Sequence, residues 1–459
     1  MAASLTTPAL PPTDALGNPL SVTDRDSLRL IDDLVLGFIR CEARAANLAL
    51  AAHEDEHPYV QACHAALQMF AESRDAASNA QPFIARAQAR AAQANARERR
   101  FIAAVAAWVA GDLRGAIRLH EEQAQEFPRD LLSLKLGQYH CFNLGDCAGM
   151  LRLALAAQPQ AADVPQWHGM LAFGYEQCHL MRRAEAAARQ AVAMARREPW
   201  AHHALAHVML TEGRLREGLA FMQDVSETWT GLNSFMLTHN WWHLALFLID
   251  LDRGDKALAV YDQHCWGVVK AYSQDQIGAV SLLARLELAG VDVGARWQDV
   301  GAHLAPRTQD HVLPFLDLQY LYGLARAGRP EADTLLAHIE AHAPHAPQAT
   351  RAAWQRVCVP AAHGLLAHAR GRHAAAADAL GTALPRLIEI GGSHAQRDLF
   401  GQIWLDALVR SGRRASLATA QDLLQQQRNG QPESRRLARQ LRTVYRGLGL
   451  PEALAHPVA

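Results

Sequence analysis

The sequence predicts an all-α protein, an α-solenoid of helical hairpins stacked in series and curving around a central groove or pocket. Three observations predict it. Half of the 459 residues are hydrophobic but only 7% are aromatic, and Ala, Leu and Arg dominate, a composition rich in helix formers and poor in β-branched strand formers. Apolar residues recur at helical spacing along most of the chain. Small turn residues separate these runs at a regular interval.

The interval is the sharpest of the three. The turns WVAGDLRGAI, FNLGDCAGML, EQCHLMRRAE and LTEGRLREGL place Gly111, Gly145, His179 and Gly213 at 34-residue steps, and 34 residues is the tetratricopeptide period. In the first unit Gly111 takes the turn, Ala116 the small packing position of the second helix, and Pro128 the helix end. Looser spacing carries the rhythm on through Gly254, Gly290, Gly328, Gly371 and Gly412, about nine hairpins in all. The resulting layout is a flexible, Pro-containing N-terminus (1–20), N-terminal capping helices (21–95), regular tetratricopeptide-like repeats (96–230), degenerate repeats (231–430), and a C-terminal helix and tail (431–459).

Charge and composition narrow the function classes. Lys135, Lys256 and Lys270 are the only lysines and the formal net charge is −1, so nucleic acid is not expected as a partner. Seven cysteines without a C-x-x-C pair indicate neither a disulfide framework nor a zinc ribbon. The N-terminus lacks the basic and apolar regions of a signal peptide, and there is no uncharged apolar run of about 18 residues. The expectation is a cytoplasmic protein without a membrane partner, its oligomeric state left open.

Repeat geometry sorts the polar residues by face. In a tetratricopeptide hairpin the first helix lines the concave side, with positions about 3, 6, 10 and 13 before the turn projecting inward. His207 and His203 stand six and ten residues before Gly213, and Glu176 three before His179. The next hairpin, HNWWHLALFLIDLDRGD, holds His239 and His243 one helical turn apart, with His243 eleven residues before Gly254. Its longer repeat implies an insertion within VSETWTGLNSF, so either this pair or Trp242 faces inward, and the histidines are preferred.

Two H-x-x-x-H pairs on successive inner helices have the form of metal half-sites, since imidazoles at i and i+4 can meet one ion. Neither pair has the Glu of a zincin, for Ala204 follows His203 and Asn240 follows His239. The other reading is a hydrogen-bonded polar interface between repeats. No cofactor is predicted on that basis; a divalent metal on His203, His207, His239 and His243 is the alternative. Near Gly391 the stretch IEIGGSHAQRDLFGQ gathers Ser393, His394, Gln396, Arg397 and Asp398 at a helix start. Ser393 reads there as a cap with local charge pairs around it, or Arg397 and the helix N-terminus read as an anion clamp. Five tryptophans in the central region are core filler or, in one or two cases, walls of a pocket.

The motifs AFGYEQ (172–177), PWAHHALAHVM (199–209), HNWWHLALF (239–247), VYDQH (260–264), SLLARLELAGVDVGARW (281–297) and GGSHAQRD (391–398) resemble the tetratricopeptide repeat protein 38 family. The likeness runs from about residue 15 to 430. It implies an α-solenoid whose inner groove carries polar motifs, and a small-molecule site more than a peptide groove. Three positions depart from the family pattern: Leu210 stands where relatives carry Glu, Gly278 where they carry Asp, and Gln319 where they carry His.

Two functions compete, with a third behind them. In the first, the solenoid binds a small polar or anionic molecule or a short peptide terminus through His207, His239, Asn240, Trp242, Asp317, Ser393, His394 and Arg397. In the second it is a hydrolase or lyase in which His203 or His243 serves as general base, oriented by Glu176 or Asp317, with Arg397 steadying negative charge. The third, a protein-interaction adaptor, is disfavoured because the inner polar residues cluster centrally instead of repeating along the array.

Overall fold

The computed structural model describes residues 11–51 and 55–455, and the regular elements among them are helices, with isolated bridge residues such as Thr13 and Pro19. In chain order the α-helices are α1 (Arg25–Ile39), α2 (Asn47–Ala51), α3 (Pro58–Met69), α4 (Ala76–Ala89), α5 (Ala96–Val109), α6 (Leu113–Glu126), α7 (Leu131–Asn143), α8 (Cys147–Ala156), α9 (Pro165–Gln177), α10 (Met181–Met194), α11 (Pro199–Thr211), α12 (Leu215–Val225), α13 (Ser234–Asp250), α14 (Gly254–Val260), α15 (Ser273–Leu288), α16 (Arg296–Leu304), α17 (Pro314–Arg326), α18 (Glu331–His342), α19 (Arg351–Ala353), α20 (Val359–Ala369), α21 (His373–Ala383), α22 (His394–Arg410), α23 (Arg414–Gly430) and α24 (Arg435–Leu448). No helix among the described residues is long and apolar enough to cross a membrane, and no disulfide joins any of the seven cysteines.

The turns are where the spacing puts them, with one exception. Gly111, Gly145, His179, Gly213, Gly290, Gly328, Gly371 and Gly412 all have φ between +57° and +84°, the left-handed conformation that ends one helix and starts its partner. In the α13–α14 hairpin that residue is Asp252, at φ +60°, and Gly254 is instead the first residue of α14. Asp is among the non-glycine residues that tolerate this region, so a search for Gly alone misplaces the turn by two. His243 and His239 therefore lie nine and thirteen residues before it. The extra residues of this repeat form the 3₁₀ turn Ser226–Thr228 and the loop up to Asn233.

The chain divides into two compact units. The first comprises Met1–Phe70, Ala76–Gly137 and Leu153–Asp163. At its centre the buried Arg97 donates to Asp130 at 2.9 Å, and Gln123 donates to the same carboxylate at 2.8 Å. Of the segment expected to be flexible, residues 1–10 lie outside the described residues. Residues 12–20 are built into this unit: Asp14 accepts from the Asn18 side chain, and Leu16 and Leu20 are buried.

The second unit comprises Ala71–Asp75, Gln138–Arg152 and Val164–Ala459. Its helices α9, α11, α13, α15 and α17 are buried along nearly their whole length, the pattern of helices covered on all sides. Their outer side packs on the second helix of each hairpin. Their inner side is covered by the chain's own C-terminal segment. Arg285 of α15 donates to Asp398 of α22 at 2.9 Å, Gln431 donates to the Leu210 carbonyl at 2.9 Å, and Arg436 of α24 donates to Asp250 of α13 at 2.7 Å.

A glycine pair makes this return possible. Gly391 and Gly392, at φ +79° and +78°, thread the chain between Asn143 and Phe315, so closely that a Cβ on Gly391 would stand 2.8 Å from the Asn143 carbonyl oxygen. Gly328 is also left-handed, at φ +66°, but has open space around it. Gly328→Ala should cost about 1–2 kcal/mol for the conformation alone. Gly391→Ala should lower the thermal midpoint well beyond that, and equal midpoints for the two variants would mean that the close approach does not constrain the fold.

Candidate metal centre

Local sequence places each side chain of the centre. Pro165 and Pro199 open α9 and α11 at a position where the missing N–H is harmless. Asn233 caps α13 by accepting from the Met236 amide, and Ser393 with Gln396 forms a capping box on α22. From these fixed starts the helical period puts Glu176 in the last turn of α9, His203 and His207 one turn apart on α11, His239 and His243 one turn apart on α13, and His394 at the first position of α22.

The four histidines of α11 and α13 converge. The Nε2 atom of His203 lies 3.1 Å from Nε2 of His207 and 3.2 Å from Nε2 of His239. The His243 ring is centred 4.8 Å from that of His203 and 4.6 Å from that of His207. One ring nitrogen from each can be chosen so that all four lie within 4.8 Å of one another. All four residues are buried, His239 being the most accessible at 8%. Neither ring nitrogen of His243 has a hydrogen-bond partner among the described residues. Aromatic rings wall the cluster: Phe173 and Trp200 against His203, and Phe235 and Trp242 stacked on His239.

Glu176 holds His207 and His394. Its Oε1 accepts from His207 Nδ1 at 3.1 Å and lies 2.7 Å from His394 Nε2, while Gln177 donates to Oε2 at 2.6 Å. Burial pushes this carboxyl up, but His207 and His394 outweigh burial and hold it well below the usual carboxylate range. Burial likewise keeps His207 and His243 below the ordinary imidazole value and pulls His239 down to about 3. A neutral His207 that donates from Nδ1 must present a bare lone pair at Nε2. That lone pair faces Nε2 of His203.

The remaining residues named from sequence divide between this centre and elsewhere. Trp242 and His394 belong to it. Asn240 donates to the Pro199 carbonyl at 3.4 Å and leaves its buried Oδ1 without a hydrogen-bond partner among the described residues. Ser393 serves as the α22 cap. Arg397 donates to the carbonyls of Gly391 and Gly392. Asp317 pairs with His311 at 2.6 Å, and burial raises its carboxyl to about 6. Beside His239 and Trp242 is a cavity of about 10 Å³ that Gly278, Ser281, Gln319 and Gln396 also line, room for about one water. Leu210 instead packs against the apolar core.

Sequence reasoning missed two members of the outer shell and one separate cluster. Arg285 lies over the Trp242 ring at 5.5 Å, and its signal was a single cation inside the apolar run SLLARLEL. His179, read only as a turn residue, stacks on His394 with ring centres 5.0 Å apart. Elsewhere His368 accepts from or donates to Tyr322 at 3.1 Å and meets Asp406 at 2.9 Å, with His373 close enough to complete a ligand-like trio. Those residues lie 46 and 38 positions apart in sequence, and no spacing rule connects them.

No family model matches the chain. Among solved structures the chain is similar to a human IFIT1 dimer with PPP-AAAA, at 13% identity and a TM-score of 0.42, covering 91% of this chain and 99% of that one. It is also similar to a structure of Naa15/Naa10 bound to HypK-THB, at 12% identity and a TM-score of 0.25, covering 92% of this chain and 66% of that one. The hairpins described above, with their left-handed turn residues, give the chain a tetratricopeptide-type helical-repeat architecture, here carrying His/Glu clusters. The exclusion of nucleic acid is corrected at this point, because the IFIT1 dimer holds an oligonucleotide. Net charge is a sum over the whole chain, whereas phosphate contacts depend on local charge.

Buried neutral histidines make stability depend on pH. His202 accepts from the Trp229 indole N–H at 3.1 Å, and its other nitrogen meets the Arg196 carbonyl at 2.8 Å. Burial holds it at about 4, and His239 at about 3. Depressed folded values mean that the unfolded chain binds more protons below about pH 6.5. The stability these groups contribute is thus full above that pH and lost as pH falls toward 4. Thermal midpoints in chelator should fall between pH 7.5 and 5, and His202→Gln should flatten the slope; midpoints that ignore pH would contradict this picture.

Proposed function

We propose that the protein is a metal-binding helical-repeat protein in which His203, His207, His239 and His243 hold one borderline transition-metal ion, zinc being the first candidate. The carrying observation is the Nε2 cluster itself, with spacings of 3.1 and 3.2 Å. A tetrahedral ion with nitrogen bonds of about 2.0 Å requires edges of about 3.3 Å between its ligands. Imidazole suits zinc, copper, nickel and iron alike. A free cluster of this kind is costly, since a buried polar atom without a partner loses about 1–3 kcal/mol, and the unpartnered His243 nitrogens are of that kind.

The surroundings support the same reading. Glu176 accepts the Nδ1–H of His207, the carboxylate-to-histidine arrangement that orients a metal ligand and raises its basicity. Four protein nitrogens fill a tetrahedral ion, which favours tight holding of the metal over open-site catalysis at this position. The adjoining cavity of about 10 Å³ has room for a water beside the cluster. Membership of the tetratricopeptide repeat protein 38 family is part of this proposal: the segments AFGYEQ, PWAHHALAHVM, HNWWHLALF and GGSHAQRD that carry the likeness also supply Glu176, the four histidines and His394. Gly278 and Gln319, two of the departures, line the cavity beside His239, so relatives with ionisable side chains there would carry extra ligands or bases next to the ion.

Untagged protein, chelated and then reconstituted with zinc, should retain at least one ion per chain by elemental mass spectrometry, one of them in the four-histidine cage. His203→Ala and His243→Ala should lose that ion and its stabilisation while keeping helical circular dichroism. A protein that takes up no ion, or whose ion survives both substitutions, would overturn the proposal.

A further inference from the structure

The structure assigns a second metal position, more open than the first, to Glu176, His207 and His394, with the His207 ring bridging the two. This inference rests on the four-histidine reading. The three donor atoms lie within 4.8 Å of one another, and Glu176 Oε1 is already 2.7 Å from His394 Nε2 and 3.1 Å from His207 Nδ1. These spacings are near the ligand-to-ligand edges of a small divalent ion. Three separate helices, α9, α11 and α22, supply the set.

His207 is placed to serve both positions. Its Nε2 faces His203, and its Nδ1 faces Glu176. Binding the second ion displaces the Nδ1 proton to solvent and gives that lone pair to the metal; no electron changes hands. The imidazolate and the Glu176 carboxylate then supply two negative charges against the second dication, which is the compensation that a buried ion requires. Arg397 spends its hydrogen bonds on the Gly391 and Gly392 carbonyls and on no member of the ligand set.

Exposure distinguishes the two positions. The four-histidine ligands are at most 8% exposed, whereas the His394 side chain is 21% exposed. Three protein ligands, two imidazoles and one carboxylate, leave a coordination position for water. A bound water on this side is reachable from solvent, next to the His179 ring that stacks on His394. An exchangeable water on a dication is the nucleophile of metal-assisted hydrolysis, so the position would suit attack of that water on an electrophilic carbon or phosphorus of a small substrate, whose bond to its leaving group then breaks; the closed cage would not.

The test is ion content in chelated protein reloaded with zinc alone, with cobalt as an optical probe of coordination. Wild type should bind two ions per chain. Glu176→Gln, His394→Ala and His394→Gln should each drop to one and keep the tetrahedral cobalt spectrum of the cage, while His243→Ala should lose that spectrum. A single ion unaffected by the Glu176 and His394 variants would overturn the second position and leave the four-histidine reading standing. A single ion lost in those variants but kept in His243→Ala would overturn the four-histidine reading instead. Loss of both ions in His394→Gln with helicity intact would overturn the separate second position, and the absence of any ion would overturn both.

Discussion

A single buried carboxylate organises the second unit. Glu176 is fully removed from solvent, yet its oxygens are taken by His207, His394 and Gln177 and not by Lys or Arg. An anion in such a place is tolerated only when donors surround it. Gln177 is the next residue on α9, whereas His207 comes from the neighbouring repeat and His394 from a helix more than 200 residues later. Satisfying this one charge therefore fixes how α9, α11 and α22 meet.

The consequence reaches through the unit. For His394 to arrive at Glu176, the chain must turn back onto the inner face of the repeats, and Gly391 and Gly392 supply the left-handed backbone for that turn. With α22 seated there, the inner helices are covered on both sides, which is why α11 and α13 are buried along nearly their full length despite carrying four histidines. Arg285 and Asp398 tie the next repeat to the same helix. The groove of a repeat protein is here largely filled by its own C-terminal segment, and the polar residues that would have lined an open groove face one another instead.

Much of the fold was legible in the sequence because local rules govern it. The 34-residue steps from Gly111 to Gly213 reflect a turn geometry that Gly adopts freely, and even His179 was found by its place in the period. Asp252 escaped because a non-glycine residue took the left-handed position and a glycine two residues later drew the eye. The histidine pairs were legible as pairs, since i, i+4 spacing is a property of one helix. Their meeting across α11 and α13 followed from the repeat. What the sequence could not disclose was the return of α22: the distance from Glu176 to His394 along the chain is long, and no periodicity links them. The Tyr322, His368 and Asp406 cluster was hidden for the same reason.

On the proposed reading this arrangement offers two kinds of coordination, a closed cage of four imidazoles and a more exposed position beside the carboxylate that orients His207. X-ray absorption spectroscopy at the metal edge of zinc-reconstituted protein examines the cage most directly. A first shell of nitrogen at about 2.0–2.1 Å, with the outer-shell scattering that imidazole rings produce, is the result expected. A first shell made only of oxygen, or one containing sulfur at about 2.3 Å, would place the ion elsewhere and contradict the four-histidine centre.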